Sequence, residues 1–223
     1  MAKKFDALIF DLDGTLLDTL DDLANSVNHA LVLHGQPARR KADIRAFLGN
    51  GIRNLIRRSV REGTSEALYE EIFDCFKAYY VEHCMERTAP YAGIMPMLAT
   101  LKEMGMGLAI VSNKLDAAVK SLNARFFEDY VSIAVGESAT VRRKPCPDAV
   151  FAAMEKLGCD ASRTAYVGDS EVDVETARNA GIPCISVLWG FRDEDFLRER
   201  FPEGIFARTP EELLALVEED VAM

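Results

Sequence analysis

The sequence lacks the features of secreted, disulfide-rich and membrane-spanning proteins. No apolar run approaches the ~20 residues that a transmembrane helix needs. Residues 1–4 lead directly into an apolar stretch, without the pattern of a signal peptide. The cysteines are odd in number and contain no Cys-x-x-Cys pair, which is typical of reduced thiols. They are Cys75, Cys84, Cys146, Cys159 and Cys184. We therefore expect a soluble, cytoplasmic protein.

Basic residues are also scarce. The chain has 26 Lys and Arg against 36 Asp and Glu, a formal net charge of −10. A nucleic-acid-binding protein needs a basic face, so neither nucleic acid nor a membrane is an expected partner. The net charge does not exclude a small phosphorylated substrate, because a metal ion and one or two lysines can reverse the field locally. A monomer and a homodimer both remain open.

Two aspartates interrupt the first apolar run of the chain. Residues 7–10 are apolar, and Asp11 and Asp13 follow with one residue between them, before Gly14 and Thr15. Residues two apart on a strand share a face, so both carboxylates can point towards one place. Two carboxylates held that close repel each other unless a cation lies between them or one is protonated. An oxygen-rich site without Cys or His suits Mg²⁺.

Two other interpretations of this motif need to be considered. Asp-Gly is a common turn dipeptide, so the pattern on its own is also compatible with a simple turn. An EF-hand loop is excluded, because it requires Gly at the sixth position and Glu at the twelfth, after a helix. Here the glycine is the fourth residue from Asp11, the twelfth is Asp22, and a strand pattern precedes the motif.

Three further segments end or begin in polar groups of the same kind. An apolar run ends at Ser112-Asn113-Lys114, Lys144 stands before Pro145, and a third run ends in the sequence 168–173, which contains Asp169 and Asp173. Ligands of open parallel α/β sheets bind at the carboxyl ends of the strands, where these groups would lie. Ser112 and Asp169 could alternatively be helix N-caps.

Hydrophobic periodicity divides the chain into two regions. Residues from about 18 to 85 show helical spacing and no strand, whereas strand and helix patterns alternate from about 91 onwards. The predicted strands after the first are 107–111, 131–135, 164–167 and 184–188, and the last predicted helix is 211–218. This alternation predicts an α/β fold, a doubly wound parallel sheet with a Rossmann-like core. We assign residues 1–17 and 88–223 to the core and residues 18–87 to an inserted all-helical cap, which is a candidate lid.

In this order, the four segments resemble the motifs of the haloacid dehalogenase-like superfamily of aspartate-nucleophile phosphatases. The resemblance covers nearly the whole chain and implies a Mg²⁺-dependent phosphomonoester hydrolase that forms an aspartyl-phosphate. It assigns the nucleophile to Asp11 and the general acid and base to Asp13. The metal ligands are then Asp11, Asp169 and the backbone carbonyl of Asp13, and a helical cap after the first strand is common in this superfamily.

The same resemblance assigns the remaining polar groups. Ser112 and the backbone N–H of Asn113, at an expected helix N-terminus, would bind the substrate phosphate together with Lys144. Thr15 would orient the loop. Asp173 would not bind the metal directly, but would reach it through water or orient a neighbouring residue. Lys114 is a weaker phosphate candidate than Lys144.

Within the superfamily, the segment Leu48–Arg53 and the C-terminal segment 209–213 look most like phosphoglycolate phosphatases. The small phosphorylated metabolite is therefore expected to be 2-phosphoglycolate, with pyrophosphate, a nucleotide or a sugar phosphate as alternatives. A phosphomutase, which passes the phosphoryl group to a sugar hydroxyl, is an alternative of another class. A non-catalytic binding protein is a third, because a fold does not fix a function.

Overall fold

A computed structural model describes residues 3–218 of the chain. Six of its strands form one parallel sheet in the order β5-β4-β1-β6-β7-β8, and β2 and β3 form a separate two-stranded sheet. The strands are β1 (Ala7–Phe10), β2 (Leu17–Asp18), β3 (Ala89–Pro90), β4 (Gly107–Leu115), β5 (Ile133–Glu137), β6 (Thr164–Gly168), β7 (Cys184–Val187) and β8 (Ile205–Ala207). The predicted α/β fold with a parallel sheet is confirmed.

Helices alternate with these strands along most of the chain. They are α1 (Leu20–Leu33), α2 (Lys41–Phe47), α3 (Gly51–Ser59), α4 (Glu66–His83), α5 (Ile94–Glu103), α6 (Asp116–Phe126), α7 (Asp148–Leu157), α8 (Glu171–Ala180), α9 (Glu194–Arg200) and α10 (Pro210–Val217). Helices α1 to α4 follow one another without a strand of the large sheet between them, as the periodicity predicts.

The central strands are apolar at successive positions because both of their faces are covered. All four residues of β1 are buried, as is every residue of β6. On one face, side chains from β1, β4, β5 and β6 pack against α7 and α8. This cluster includes Ile9, Val111, Val135, Val150, Tyr166 and Ala177. The buried sheet thereby fixes the positions at which its strands end.

Four details of the core differ from the sequence-based prediction. Strand β4 continues to Leu115 instead of ending near 111, and β5 lies two residues later than predicted. Helix α9 and strand β8 were not predicted. The extension of β4 was missed because polar residues normally mark the end of a buried strand, whereas 112–114 are polar and buried. The β4–β5 ladder shifts its register between Val111 and Leu115, so these residues form a bulge.

The chain divides into two compact units, which are described separately. One comprises Met1–Leu16 and Pro90–Met223 and contains the six-stranded sheet, and the other comprises Leu17–Ala89 and contains α1 to α4. In the helical unit α1 packs on α4. Arg53 lies in α3 of this unit, and its guanidinium donates to both carboxylate oxygens of Glu70 at 2.7 and 3.3 Å. Within residues 3–218, no helix is both long and apolar enough to cross a membrane.

A buried carboxylate ties the beginning of the helical unit to its end. Asp22 in α1 is 2% exposed. Its oxygens accept hydrogen bonds from the backbone N–H groups of Arg87 and Thr88 and from the Thr88 hydroxyl, at 2.9–3.1 Å. A hydrogen bond to a charged group contributes about 1.5–3 kcal/mol, so this contact is a principal tertiary restraint on the last residues of the unit.

Replacing Asp22 with Ala leaves those donors without a partner. We expect the free energy of unfolding to fall by about 3 kcal/mol, measured by urea denaturation. The matched control is Asp21→Ala on the same helix, where the carboxylate pairs with Lys41 at the surface. That variant should change stability by no more than about 0.5 kcal/mol. Equal losses in the two variants would contradict the role assigned to Asp22.

Candidate active site

The polar segments found in the sequence meet at the carboxyl ends of three neighbouring strands. Strand β1 lies between β4 and β6, and Phe10 is in register with Ile110 on one side and Val167 on the other. Asp11 directly follows β1 and Asp169 directly follows β6, so these two acids are neighbours across the sheet. The order of the strands reverses around β1, which is the usual position of ligand sites in open α/β sheets.

Three buried aspartates form a compact acidic group at this edge. Asp11, Asp169 and Asp173 each offer a carboxylate oxygen, and these oxygens lie within 4.8 Å of one another. Burial raises the pKa of Asp11 to about 7. The positive charge of Lys144 lowers this pKa, and the negative charge of Asp173 raises it. The pKa of Asp169 is raised to about 8, mainly by burial and further by the negative charges of Asp173 and Asp11. A hard divalent cation would relieve this repulsion, so the all-oxygen donor set fits such an ion.

Lys144 is the cation that the protein itself places in this group. Its side-chain ammonium lies 2.9 Å from Asp11 Oδ1, 2.7 Å from Asp173 Oδ1 and 3.1 Å from the Tyr166 hydroxyl oxygen. These three acceptors match the three N–H bonds of an ammonium. Burial by itself lowers the pKa of Lys144, but the charges of Asp11 and Asp173 outweigh burial and raise this pKa well above its usual value.

Asp173 is held on both of its oxygens by the protein. Oδ1 accepts from Lys144, while Oδ2 accepts from the backbone N–H of Ser170 at 3.0 Å and from its hydroxyl at 2.6 Å. Ser170, and not Asp169, is the N-cap of α8. The helix-cap alternative for Asp169 is therefore wrong. Asp173 is fixed as an acceptor for Lys144, which makes Asp11 and Asp169 the better candidates for metal ligands.

The loop after β1 packs closely around Asp169. The Oδ2 atom of Asp169 accepts a hydrogen bond from the backbone N–H of Phe191 at 2.6 Å, and its Oδ1 accepts a long one of 3.4 Å from the Thr15 hydroxyl. Gly14 has a φ of +85°, and a methyl group on it would collide with the Asp169 carboxylate. A methyl group on Gly190 would meet both the Asp169 side chain and the Gly14 carbonyl oxygen.

Asp13 lies near this edge but its carboxylate has a different partner. The Lys114 ammonium donates to Asp13 Oδ1 at 2.9 Å and to Oδ2 at 3.2 Å. The Asp13 carboxylate is not a member of the acidic group formed by Asp11, Asp169 and Asp173. The contact with a metal ion that the family resemblance implies for Asp13 is through its backbone carbonyl and stays a prediction.

Ser112 and Asn113 are buried at the end of β4, but no helix begins there. Helix α6 begins at Asp116, so Ser112 is not an N-cap, and the expected helix N-terminus behind Asn113 is absent. The Ser112 hydroxyl accepts from the Lys114 backbone N–H at 3.3 Å. The Asn113 side chain accepts from the N–H of Lys144 and donates to its carbonyl. Asn113 thus connects β4 to the segment that carries Lys144.

Sequence reasoning ranked one residue of this site too low and missed two others. Lys114 ranked below Lys144 because a lone lysine is usually exposed, yet it is 4% exposed. In the sequence Tyr166 stands in an apolar run and looks like an ordinary core residue. Its hydroxyl, however, accepts a hydrogen bond from Lys144 and donates one to the Val111 carbonyl at 2.9 Å. Trp189, the one tryptophan of the chain, donates from Nε1 to the Thr15 carbonyl at 2.9 Å. A tryptophan after an apolar strand was the only local signal for that contact.

Comparisons with known proteins agree with this geometry. A family model described as haloacid dehalogenase-like hydrolase matches residues 8–187. The phosphoglycolate phosphatase of Pseudomonas syringae pv. tomato is 35% identical over 206 residues, which cover 87% of this chain and 74% of that protein. The phosphoglycolate phosphatase of Aquifex aeolicus is 30% identical over 215 residues, 96% of this chain and 97% of that protein.

Solved structures resemble the chain along nearly its full length. A crystal structure of a protein from Lactobacillus delbrueckii subsp. bulgaricus has a TM-score of 0.91 and 33% identity, covering 97% of this chain and 100% of that chain. The structure of a predicted phosphoglycolate phosphatase from Haemophilus somnus has a TM-score of 0.87 and 27% identity. The match covers 96% of this chain and 98% of that chain.

The raised pKa values of Asp11 and Asp169 predict a pH-dependent response to Mg²⁺. Without metal, the pKa values of both carboxyls are higher in the folded protein than in the unfolded chain, so between about pH 4 and pH 8 the folded protein binds more protons. The free energy of unfolding therefore falls as the pH rises through this range. A divalent cation such as Mg²⁺ would bind the ionised carboxylates, and at high pH its binding would displace no proton. Its addition should therefore raise the Tm more at about pH 8.5 than at about pH 6.

Thermal unfolding in EDTA and in Mg²⁺ measures this difference, and the fluorescence of Trp189 reports metal binding independently of activity. Asp169→Asn should lose both the Tm increase and the fluorescence change. The exposed Asp195 provides the control, because Asp195→Asn should keep both. A Tm increase that is equal at the two pH values would contradict the pKa argument.

Proposed function

The chain belongs to the haloacid dehalogenase-like hydrolases and is a phosphatase, and we propose that it hydrolyses a small phosphomonoester, 2-phosphoglycolate, through a phosphoryl group carried by Asp11. The observation that carries this proposal is the buried contact between Asp11 and Lys144. A carboxylate 2.9 Å from a fixed ammonium, at the carboxyl end of the central strand, is suited to attack phosphorus while the cation balances the negative charge.

The carboxylate of Asp11 is held in place before substrate arrives. The Leu12 backbone N–H donates to Asp11 Oδ1 at 2.7 Å, and the Lys144 ammonium donates to the same oxygen. Lys144 is restrained in turn by Asp173 and Tyr166. A nucleophile fixed in this way loses little further freedom on reaching the in-line geometry of phosphoryl transfer.

The reaction then has two steps in which Asp13 moves the proton. In the first step, Asp11 attacks phosphorus, the bond from phosphorus to the ester oxygen breaks, and Asp13 protonates that oxygen as the alcohol leaves. In the second step, Asp13 takes a proton from water, and the resulting hydroxide attacks phosphorus and releases inorganic phosphate and the Asp11 carboxylate. Ser112, the Asn113 backbone N–H and Lys144 are proposed to donate to the phosphoryl oxygens.

Asp11, Asp169 and the Asp13 carbonyl would hold the divalent metal, for which we propose Mg²⁺. When bound, it would neutralise the phosphoryl oxygens as a Lewis acid. The acidic group supports this assignment, because Asp11 and Asp169 have raised pKa values and carboxylate oxygens within 4.8 Å of one another, and a divalent cation would relieve their repulsion. Thr15 and Asp173 act through Asp169 and Lys144, respectively.

The names of the relatives support 2-phosphoglycolate as the substrate, since the proteins of P. syringae and A. aeolicus are both named phosphoglycolate phosphatase. Chain order supports a further proposal for the helical unit. It is inserted directly after the loop that carries Asp11 and Asp13, so we propose that it acts as a lid with hinges at 17–19 and 87–93.

Hydrogen exchange tests the proposal of a lid. Binding of a substrate or of a phosphate analogue should alter the exchange of backbone amides at 17–19 and 87–93, because hinge residues absorb the change in φ and ψ on closure. Unchanged exchange in both ranges, together with demonstrated binding, would refute it.

Phosphate release from a panel of substrates tests the proposed reaction. We expect Mg²⁺-dependent turnover, suppressed by EDTA, with 2-phosphoglycolate ranking above pyrophosphate, nucleotides and sugar phosphates. Asp11→Asn should lower kcat by more than about 10³-fold, because removal of a nucleophile removes the covalent step. The control is again Asp195→Asn, which should match the unmodified protein.

The other outcomes distinguish the alternatives. Transfer of phosphate to a sugar hydroxyl in place of water would identify a phosphomutase. No turnover of any substrate by the folded, Mg²⁺-loaded protein would favour a binding protein. Full activity of Asp11→Asn would exclude Asp11 as the nucleophile.

A further inference from the structure

A second ion pair, formed by a buried lysine and a partly buried aspartate, lies beside the proposed nucleophile, and its carboxylate is not a member of the acidic group. Lys114 and Asp13 are 101 positions apart in the chain, and their side chains are 3% and 21% exposed, respectively. Both oxygens of the Asp13 carboxylate accept from the same ammonium, at 2.9 and 3.2 Å. A lysine normally keeps its ammonium in water, so burying it at this place needs a structural cause.

The cause is the bulge at the end of β4. Between Val111 and Leu115 the strand uses more residues than β5 does opposite it, which brings the buried residues 112–114 out of the regular ladder. Gly136 in β5 makes room for this path, because a methyl group on it would collide with the Lys114 carbonyl oxygen and the Asp116 backbone. The Gly136 N–H in turn donates to Asp116 Oδ1 at 3.0 Å.

We propose that Lys114 is the positioning residue of Asp13, which holds the carboxyl in one orientation for proton transfer in both steps of the reaction. This inference rests on the proposed function, in which Asp13 protonates the leaving oxygen and later takes a proton from water. One Asp13 oxygen keeps its hydrogen bond from Lys114 while the other carries the transferred proton. Lys114 itself keeps its proton throughout and forms no covalent bond.

The structure separates this role from that of Lys144. The Lys144 ammonium has Asp11, Asp173 and Tyr166 as its acceptors, whereas the Lys114 ammonium contacts the carboxylate of Asp13. Loss of Lys114 therefore removes the restraint on the proton carrier and leaves the restraint on the nucleophile intact. Proton transfer is sensitive to orientation, because donor and acceptor must come within hydrogen-bonding distance.

The test is a double-mutant cycle in the full chain with Mg²⁺. Lys114→Met should lower kcat for an alkyl phosphomonoester about 10- to 100-fold and leave KM within about twofold, since general acid–base catalysis contributes 10²–10⁴-fold. Asp13→Asn should lower kcat further, and adding Lys114→Met to it should change kcat by less than about twofold. Non-additivity is expected only if Lys114 acts through Asp13.

The leaving group provides a second readout. p-Nitrophenolate needs no proton to leave, so Lys114→Met should release the first equivalent of p-nitrophenol at the unmodified rate and then turn over slowly, because water attack still needs Asp13. A burst equal to the enzyme concentration is the expected result. A general disturbance of the site would slow the first equivalent as well.

The controls separate folding from positioning. Lys120→Met makes the same change at an exposed lysine of α6 and should leave all rates unchanged. Lys114→Arg should recover part of the lost kcat, because a guanidinium also donates to both oxygens of a carboxylate. If Lys114→Met fails to fold, Lys114→Leu replaces it in the cycle, because it also removes the donor to Asp13.

Additive losses in the cycle, or a raised KM with unchanged kcat, would overturn the proposal and would indicate that Lys114 binds the substrate directly. Absence of phosphatase activity in the unmodified protein is a different result. It would refute the proposed function itself, and it is observed before any variant of Lys114 is made.

Discussion

The balance of buried charge at the end of the central strands is the constraint on which the site depends. Asp11, Asp169 and Asp173 are buried together with the ammonium of Lys144. Isolated carboxylates are costly to bury, so each remaining negative charge must be protonated, hydrogen-bonded or matched by a cation. Asp173 is matched by Lys144 and Ser170. Burial and mutual repulsion raise the pKa values of Asp11 and Asp169, so this balance of charge favours a bound divalent cation.

Two buried lysines compensate the negative charge of different aspartates. Lys144 belongs to a chain of contacts that runs from the Val111 carbonyl through the Tyr166 hydroxyl to the acids. Lys114 contacts Asp13, whose carboxylate is more exposed than any carboxylate of the acidic group. The two aspartates of the first motif thus have separate environments although only one residue lies between them. Different environments are what allow two carboxyl groups of one kind to take different roles.

The sequence predicted what depends on local pattern and missed what depends on distant packing. The parallel sheet was predicted because its strands are short apolar runs between helical patterns, and Asp11 and Asp169 were found because each follows such a run. The C-terminal end of β4 was predicted wrongly because burial of 112–114 depends on Gly136 and on contacts across the fold. The partners of Lys114 and Tyr166 could not be predicted for the same reason, since those contacts join positions 101 and 22 residues apart. The assigned chemical roles remain predictions that the experiments above test.

The short strands β2 and β3 have a consequence for how such a protein can change over evolution. Leu17–Asp18 pairs with Ala89–Pro90, so the points at which the chain enters and leaves the helical unit lie side by side. A segment whose two ends are neighbours can be shortened, lengthened or exchanged for another without stretching the sheet that precedes and follows it. The buried acids and lysines of the candidate active site all belong to the sheet-containing unit, so the insert carries none of them. The insert can then vary as one continuous stretch of coding sequence while those residues stay unchanged.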